Sequence, residues 1–298
     1  MMKVIPTGGA LGARIEGLDL SRPLKEDEVK GIVRAVGEHG VICIPDQKLE
    51  PVHLKAFSGN FGELEVNVAS SFQEKDHPEI MILSNMREDG KPIGFADAGQ
   101  DWHTDMSYSS TVAFANILYG IKIPRRDGRP LGCTAFCDMH KAYEMLPDDI
   151  KRRIDGRTAT HDFNKFWEKM RREKGSARPP LTEEQRRKKP PVSHPMVMAH
   201  PITGRSVLYA NPGYTVSIDG MPAAESDEIL EFLFTHQIRP EFQHQHLWTE
   251  NDVLMWDNFG TIHNAIADYG PDEHRLIKRC QVMADKVLAD TFGVRPVH

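Results

Sequence analysis

Apolar positions recur at helical spacing across Glu26–His39, where Val29, Ile32, Val33 and Val36 fall on one face. Ser21-Arg22-Pro23 leads into this segment, and Gly40 is its natural stop. A second amphipathic stretch, Pro51–Phe61, ends at Gly62. Asp138–Arg152 and Ala224–His236 carry the same period and are predicted helices. The remaining apolar positions are bunched into short runs: Val41–Pro45, Ile80–Leu83, Ala113–Ile123, Gly132–Cys137, Val207–Ala210, Val253–Trp256 and Leu276–Met283. Continuous apolar runs bounded by turn residues are read as buried strands, and residues 1–20 as short strands and turns. Short strands broken by Gly and Pro in the second half fit a β core better than a regular βαβ alternation. The expected fold is therefore mainly β with flanking helices (α+β), with a jelly-roll core. No internal repeat is visible, and 1–298 is read as a single domain.

One stretch departs from this pattern. From Lys165 to Lys189 the chain is dense in Lys and Arg, interrupted by Ala177-Arg178-Pro179-Pro180 and Lys189-Pro190-Pro191. Its plain reading is a solvated insertion. Its functional reading, a basic lid-like insertion at about 165–191, follows because such segments often cover an active-site mouth.

Bulk composition removes several function classes. The chain has 37 Lys plus Arg against 43 Asp plus Glu, a formal charge of −6, so no basic field invites nucleic acid or an anionic membrane. Of the four cysteines, Cys133 and Cys137 lie close together, but no second pair completes a zinc knuckle, and buried or idle thiols are expected. The start, Met1 to Pro6, lacks the apolar run of a signal peptide. No stretch approaches the roughly 18 apolar residues of a membrane span. A cytoplasmic location is the resulting expectation.

Chemistry concentrates in Gln100-Asp101-Trp102-His103-Thr104-Asp105-Met106-Ser107. If this segment is a strand, His103 and Asp105 project from one face. An imidazole and a carboxylate from one segment make two thirds of a facial triad that leaves positions open on Fe(II). His263, after the apolar strand and polar turn of Val253–Ile262, can supply the third ligand from a second strand. Arg275 follows, with Leu276 and Ile277 behind it, and is expected to enter a strand and turn a guanidinium fork inward toward a carboxylate. Two other classes accommodate the same residues. One is a zinc hydrolase with metal-bound water as nucleophile. The other is a non-catalytic jelly-roll binding protein in which these are merely satisfied polar groups.

His103-x-Asp105, Trp256-Asp257-Asn258 leading to His263, and Arg275 with Arg279 together resemble the TauD/TfdA family of Fe(II)- and 2-oxoglutarate-dependent dioxygenases. Gly12-Ala13-x-Ile15-x-Gly17-x-Asp19-Leu20, Phe61-Gly62-Glu63-Leu64, Phe136-Cys137-Asp138-Met139 and Thr203-Gly204-Arg205 extend the likeness over nearly the whole chain. The resemblance implies a double-stranded β-helix. It makes His103, Asp105 and His263 the iron ligands, and Arg275 with Thr134 the 2-oxoglutarate contacts. Cys133 stands where Asp is common before that threonine. Fe(II), 2-oxoglutarate and O2 are the implied cofactors, with succinate and CO2 released as a small organic anion is hydroxylated. Arg279 matches an arginine near the substrate's anionic group, although a salt bridge to Asp257 or Asp268 would also explain it. Asn67 stands where the taurine-specific branch has a histidine, which favours an aryloxyalkanoate or similar carboxylate over a taurine-like sulfonate. A homodimer or homotetramer is implied too. Asn258 is expected to support the turn before His263, and Tyr108, Asn211 and Tyr214 are candidates for the substrate side. His200 has a weaker claim to the pocket, and His140, His161, His194, His244 and His246 are read as ordinary hydrogen-bonding groups.

Overall fold

In the computed structural model of the protein, the described residues are 2–66, 72–173, 176 and 179–294. The backbone is mainly sheet with helices packed outside. The strands that build the site are β1 (Lys3–Pro6), β2 (Ala13–Glu16), β3 (Val41–Ile44), β4 (Gln73–Glu74), β5 (His77–Ser84), β6 (Ala113–Lys122), β7 (Thr134–Asp138), β8 (Gln243–His246), β9 (Val253–Asp257), β10 (Thr261–Ala265) and β11 (Leu276–Met283). Eight of them form one sheet in the order β1-β2-β3-β9-β6-β11-β5-β4. All its neighbours are antiparallel except β2 and β3. The other three form a smaller antiparallel sheet, β8-β7-β10.

Strands β6 and β9 show why continuous apolar runs were needed. Successive side chains of a strand point to opposite faces, and both faces of the large sheet are covered. Ile117, Tyr119, Val253 and Met255 join a core with Ile32, Val33 and Val36 of helix α1 (Glu26–His39) and Leu54 and Phe57 of helix α2 (Pro51–Gly59). Leu118, Leu254 and Trp256 join a second cluster with Phe136 of β7. There the Phe136 and Trp256 rings meet edge to face at 5.4 Å, which fastens the small sheet over the large one. Side chains buried this fully contribute roughly 1.5–3 kcal/mol each, so both faces are strongly specified.

The largest difference from the sequence reading is in one helix. The helix expected over Asp138–Arg152 is two helices, α3 (Met139–Glu144) and α4 (Asp148–Ile154). Pro147 disfavours helical geometry at Leu146, which ends the first helix before the second begins. The first starts on Asp138, whose carboxylate accepts from the backbone N–H groups of His140 and Lys141. The basic insertion contains helix α5 (Phe163–Glu173) and helix α6 (Glu183–Lys188). It leads into a three-stranded sheet of Val192–Pro195, Thr158–His161 and Thr215–Ile218, backed by helix α7 (Ala223–Gln237). No described helix is long and apolar enough to cross a membrane.

Candidate active site between the two sheets

His103 and Asp105 do not lie on a regular strand. His103 makes one isolated bridge to His263 of β10, with His103 N–H donating to His263 O at 3.0 Å and His263 N–H to His103 O at 2.8 Å. Beyond it the chain turns, and Met106 takes a φ of +60°. Asp105 therefore reaches its place through a turn rather than by strand alternation. The outcome is nonetheless convergent. Asp105 Oδ1 lies 3.5 Å from His103 Nε2, and Oδ2 lies 3.9 Å from His263 Nε2. One donor atom from each residue lies within 4.8 Å of the others, and all three side chains are almost fully buried.

The neighbours prepare these donors. His103 Nδ1 is 2.7 Å from Asp101 O. A carbonyl can only accept, so Nδ1 carries a proton and Nε2 is the nitrogen turned toward Asp105. His263 is pushed well below the ordinary imidazole range by burial and by the adjacent His103. Burial opposes charge on Asp105. The hydrogen bond with His103 and the positive field of Arg279 override it and hold the carboxyl well below its usual range. Two imidazoles and one carboxylate are a donor set that fits a divalent iron.

Further side chains hold this geometry. Asn116, the polar residue inside the apolar run of β6, donates from Nδ2 to Asp105 Oδ2 at 2.8 Å. Asn258 accepts from Trp256 Nε1 at 3.1 Å, while its carbonyl accepts from Thr104 Oγ1 at 2.7 Å. It thereby ties the turn before His263 to the residue between His103 and Asp105. His200, given a share in the pocket on sequence, lies behind that turn. Its Nε2 is 2.8 Å from Asp257 Oδ2, and that carboxylate caps the N–H groups of Phe259 and Gly260. Gly213 passes so close that a Cβ there would lie 2.5 Å from His103 Cβ.

Arg275 precedes β11 rather than entering it. Arg275 is only 7 % exposed, its Nε has no hydrogen-bond partner, and burial pulls its pKa down. Tyr269 supplies a side-chain hydrogen bond, and no carboxylate pairs with it among the described residues. A buried cation without a counter-ion is costly, which makes this a socket for an anion. Thr134 is buried at the start of β7, where Oγ1 accepts from Trp248 Nε1 at 3.1 Å. Arg279 lies neither on Asp257 nor on Asp268: its Nη1 donates to Asp105 Oδ2 at 3.3 Å. Asn67 lies outside the described residues.

The insertion packs directly on this centre. The Phe166 ring of α5 is 4.8 Å from the His103 ring, and Tyr214 meets His103 edge-on at 6.0 Å. Tyr108 touches both Tyr214 and Phe163 at 4.7 Å. The Lys189 ammonium lies 5.1 Å from the Tyr108 ring centre and 5.7 Å from that of Phe163. Lys169 of α5 pairs with Asp101, whose carbonyl fixes His103.

Against known proteins, the family model described as "Taurine catabolism dioxygenase TauD, TfdA family" matches residues 3–281. Pentalenolactone F synthase of Streptomyces avermitilis is 32% identical over 290 residues, covering 93% of this chain and 92% of that protein. The alpha-ketoglutarate-dependent 2,4-dichlorophenoxyacetate dioxygenase of Cupriavidus pinatubonensis is 30% identical over 294 residues, covering 95% and 98%. Among solved structures, AAD-2 in complex with Mn(II) and N-oxalylglycine superposes with a TM-score of 0.79 at 26% identity, covering 95% of this chain and 97% of that one.

Proposed function

The chain belongs to the TauD, TfdA family, a family of alpha-ketoglutarate-dependent dioxygenases using Fe(II), 2-oxoglutarate and O2, and from that premise we propose that it hydroxylates a small organic carboxylate. The observation that carries the assignment to these residues is the buried His103, Asp105 and His263 cluster, together with a buried Arg275 guanidinium that no described carboxylate pairs. Neither the zinc hydrolase nor the non-catalytic binding protein is favoured by that membership, and neither accounts for a buried cation with no acid partner.

In this reading His103 Nε2, Asp105 and His263 Nε2 would hold the iron. Bound there, the metal supplies the oxidising chemistry that couples loss of CO2 from the keto acid, leaving succinate, to hydroxylation of the substrate. Arg275 grips the far carboxylate of 2-oxoglutarate with two parallel hydrogen bonds, assisted by Thr134. Asn116 and Arg279 hold Asp105 so that its oxygens keep facing the two imidazoles. Burial of the whole group keeps water from the reacting atoms. We read the two sheets as the double-stranded β-helix of the family and the chain as a single domain working as a cytoplasmic homodimer or homotetramer.

Substrate class is read from the wall that the insertion builds together with Tyr108 and Tyr214. Phe163, Phe166, Tyr108 and Tyr214 present flat apolar surface beside His103, and Lys189 places a cation at its edge. That combination suits an aryl group carrying a carboxylate, such as an aryloxyalkanoate, better than a small aliphatic sulfonate. Arg279 remains a proposed contact for the substrate's anionic group, with holding Asp105 as its second duty. The insertion is then a lid over the His103 side of the site.

Succinate formation is the direct test. Protein supplied with Fe(II), ascorbate and 2-oxoglutarate is screened against aryloxyalkanoates and sulfonates side by side. Succinate should appear with the former and fall to background in His103→Ala. Full turnover in that variant would remove the metal assignment, and a response confined to sulfonates would reverse the substrate class.

A further inference from the structure

Away from this centre, three strands bring a thiol, an imidazole and a carboxylate together. Cys43 lies on β3, His246 ends β8, and Asp252 immediately precedes β9. One donor atom from each lies within 4.8 Å of the others. None of the three belongs to the oxygenase machinery described above.

Two details separate this cluster from a casual contact. His246 Nε2 is buried and makes no hydrogen bond, yet lies 3.3 Å from Asp252 Oδ2. Zinc bonds of about 2.0–2.2 Å to nitrogen and oxygen, opened to the tetrahedral angle, put the two donor atoms about 3.3–3.6 Å apart. The separation is thus that of two ligands sharing a metal, in an orientation unsuited to a hydrogen bond. The ligands are also held in advance. Asp252 Oδ2 accepts from Thr249 N–H at 2.8 Å, and its carbonyl accepts from Gly120 N–H at 2.9 Å. Cys43 is registered against Leu254 on one side and Arg14 on the other. Of the further charged groups beside the thiol, Asp46 favours a cation, and Arg14 opposes it while bound to Glu16 at 3.1 Å.

We propose that Cys43, His246 and Asp252 form a second metal site, one that takes Zn2+ with a fourth position open to solvent. One soft thiolate with one imidazole and one carboxylate selects zinc over the oxygen-seeking cations. Binding forms a Zn–S bond and releases the Cys43 proton to solvent, with no change of oxidation state. The site would clamp β3 and β9 of the large sheet to β8 of the small one. Its influence has a path to the keto-acid pocket, since the His246 ring packs edge-on against Trp248 at 4.9 Å, and Trp248 donates to Thr134.

Cobalt is the probe that distinguishes the two sites, because only this one contains sulfur. Full-length protein stripped with EDTA and titrated with Co2+ should show a near-ultraviolet thiolate-to-cobalt charge-transfer band. The band should persist in His103→Ala and vanish in Cys43→Ser, with tenfold or greater weakening of Co2+ binding in Asp252→Asn. Zinc should abolish the band, and in a His103→Ala background, which removes the other divalent-metal site, it should raise the unfolding temperature unless Cys43→Ser is also present. Unfolding in EDTA checks that the variants fold, and His246→Gln replaces Cys43→Ser if the serine protein does not. Absence of the band in wild type, or its survival in Cys43→Ser or His246→Gln, overturns the site. Failure of the His103 assignment would leave these readings unchanged.

Discussion

At the scale of single residues, Arg275 yields the clearest prediction. Arg275→Lys keeps a charge but loses the fork, which costs about 1.5–3 kcal/mol for charge-assisted hydrogen bonds. The KM for 2-oxoglutarate should rise roughly 10- to 100-fold, while that for the organic substrate stays nearly constant. Steady-state kinetics varying each in turn will check this. His103, Asp105, His263 and Arg275 stood out in the sequence through the motifs that contain them, and the fold brings the first three together. Asn116 and Gly213 did not, since their roles depend on which segments lie opposite one another. Asn116 was detectable only as the polar residue in an apolar strand.

Among elements, periodicity was a good guide wherever tertiary contacts agreed with it. Helix Glu26–His39 and strand Leu276–Met283 have the bounds the pattern gave, because each presents apolar positions to a face that the fold does cover. The pattern failed where a local breaker or a turn intervened: at Pro147, and at Asp105, which the two-residue alternation of a strand placed correctly for the wrong reason. Close packing between elements supplies the next prediction. Gly213 precedes the strand Thr215–Ile218, and a methyl group there would lie 2.5 Å from His103 Cβ, 3.2 Å from Trp102 O and 3.3 Å from His103 Cα. No flexible side chain can yield at those contacts, so His103 itself must move. Gly213→Ala should lower affinity for the active-site metal by about 10- to 100-fold, as other displaced ligands do. Metal titration of the purified variant measures it.

For the molecule as a whole, buried histidines set the acid limit. Burial pushes His161 down to about 3 and His140 down to about 4, with neighbouring His194 and His200 adding to the effect. In the unfolded chain both return to about 6.5. Between those values the unfolded state binds more protons, so stability rises with pH through this window and is lost as the solution is acidified below about 6.5. Each residue should account for about 2 kcal/mol lost at pH 5. Chemical denaturation at pH 7 and pH 5 should show a smaller drop for His161→Gln than for wild type, by about that amount.

The paired backbone hydrogen bonds between His103 and His263 bear on the proposed metal site. Because peptide units tie the two segments together, the spacing of the imidazoles is written into the backbone, and in the proposed reading a metal docking there would meet two of its three ligands already in step.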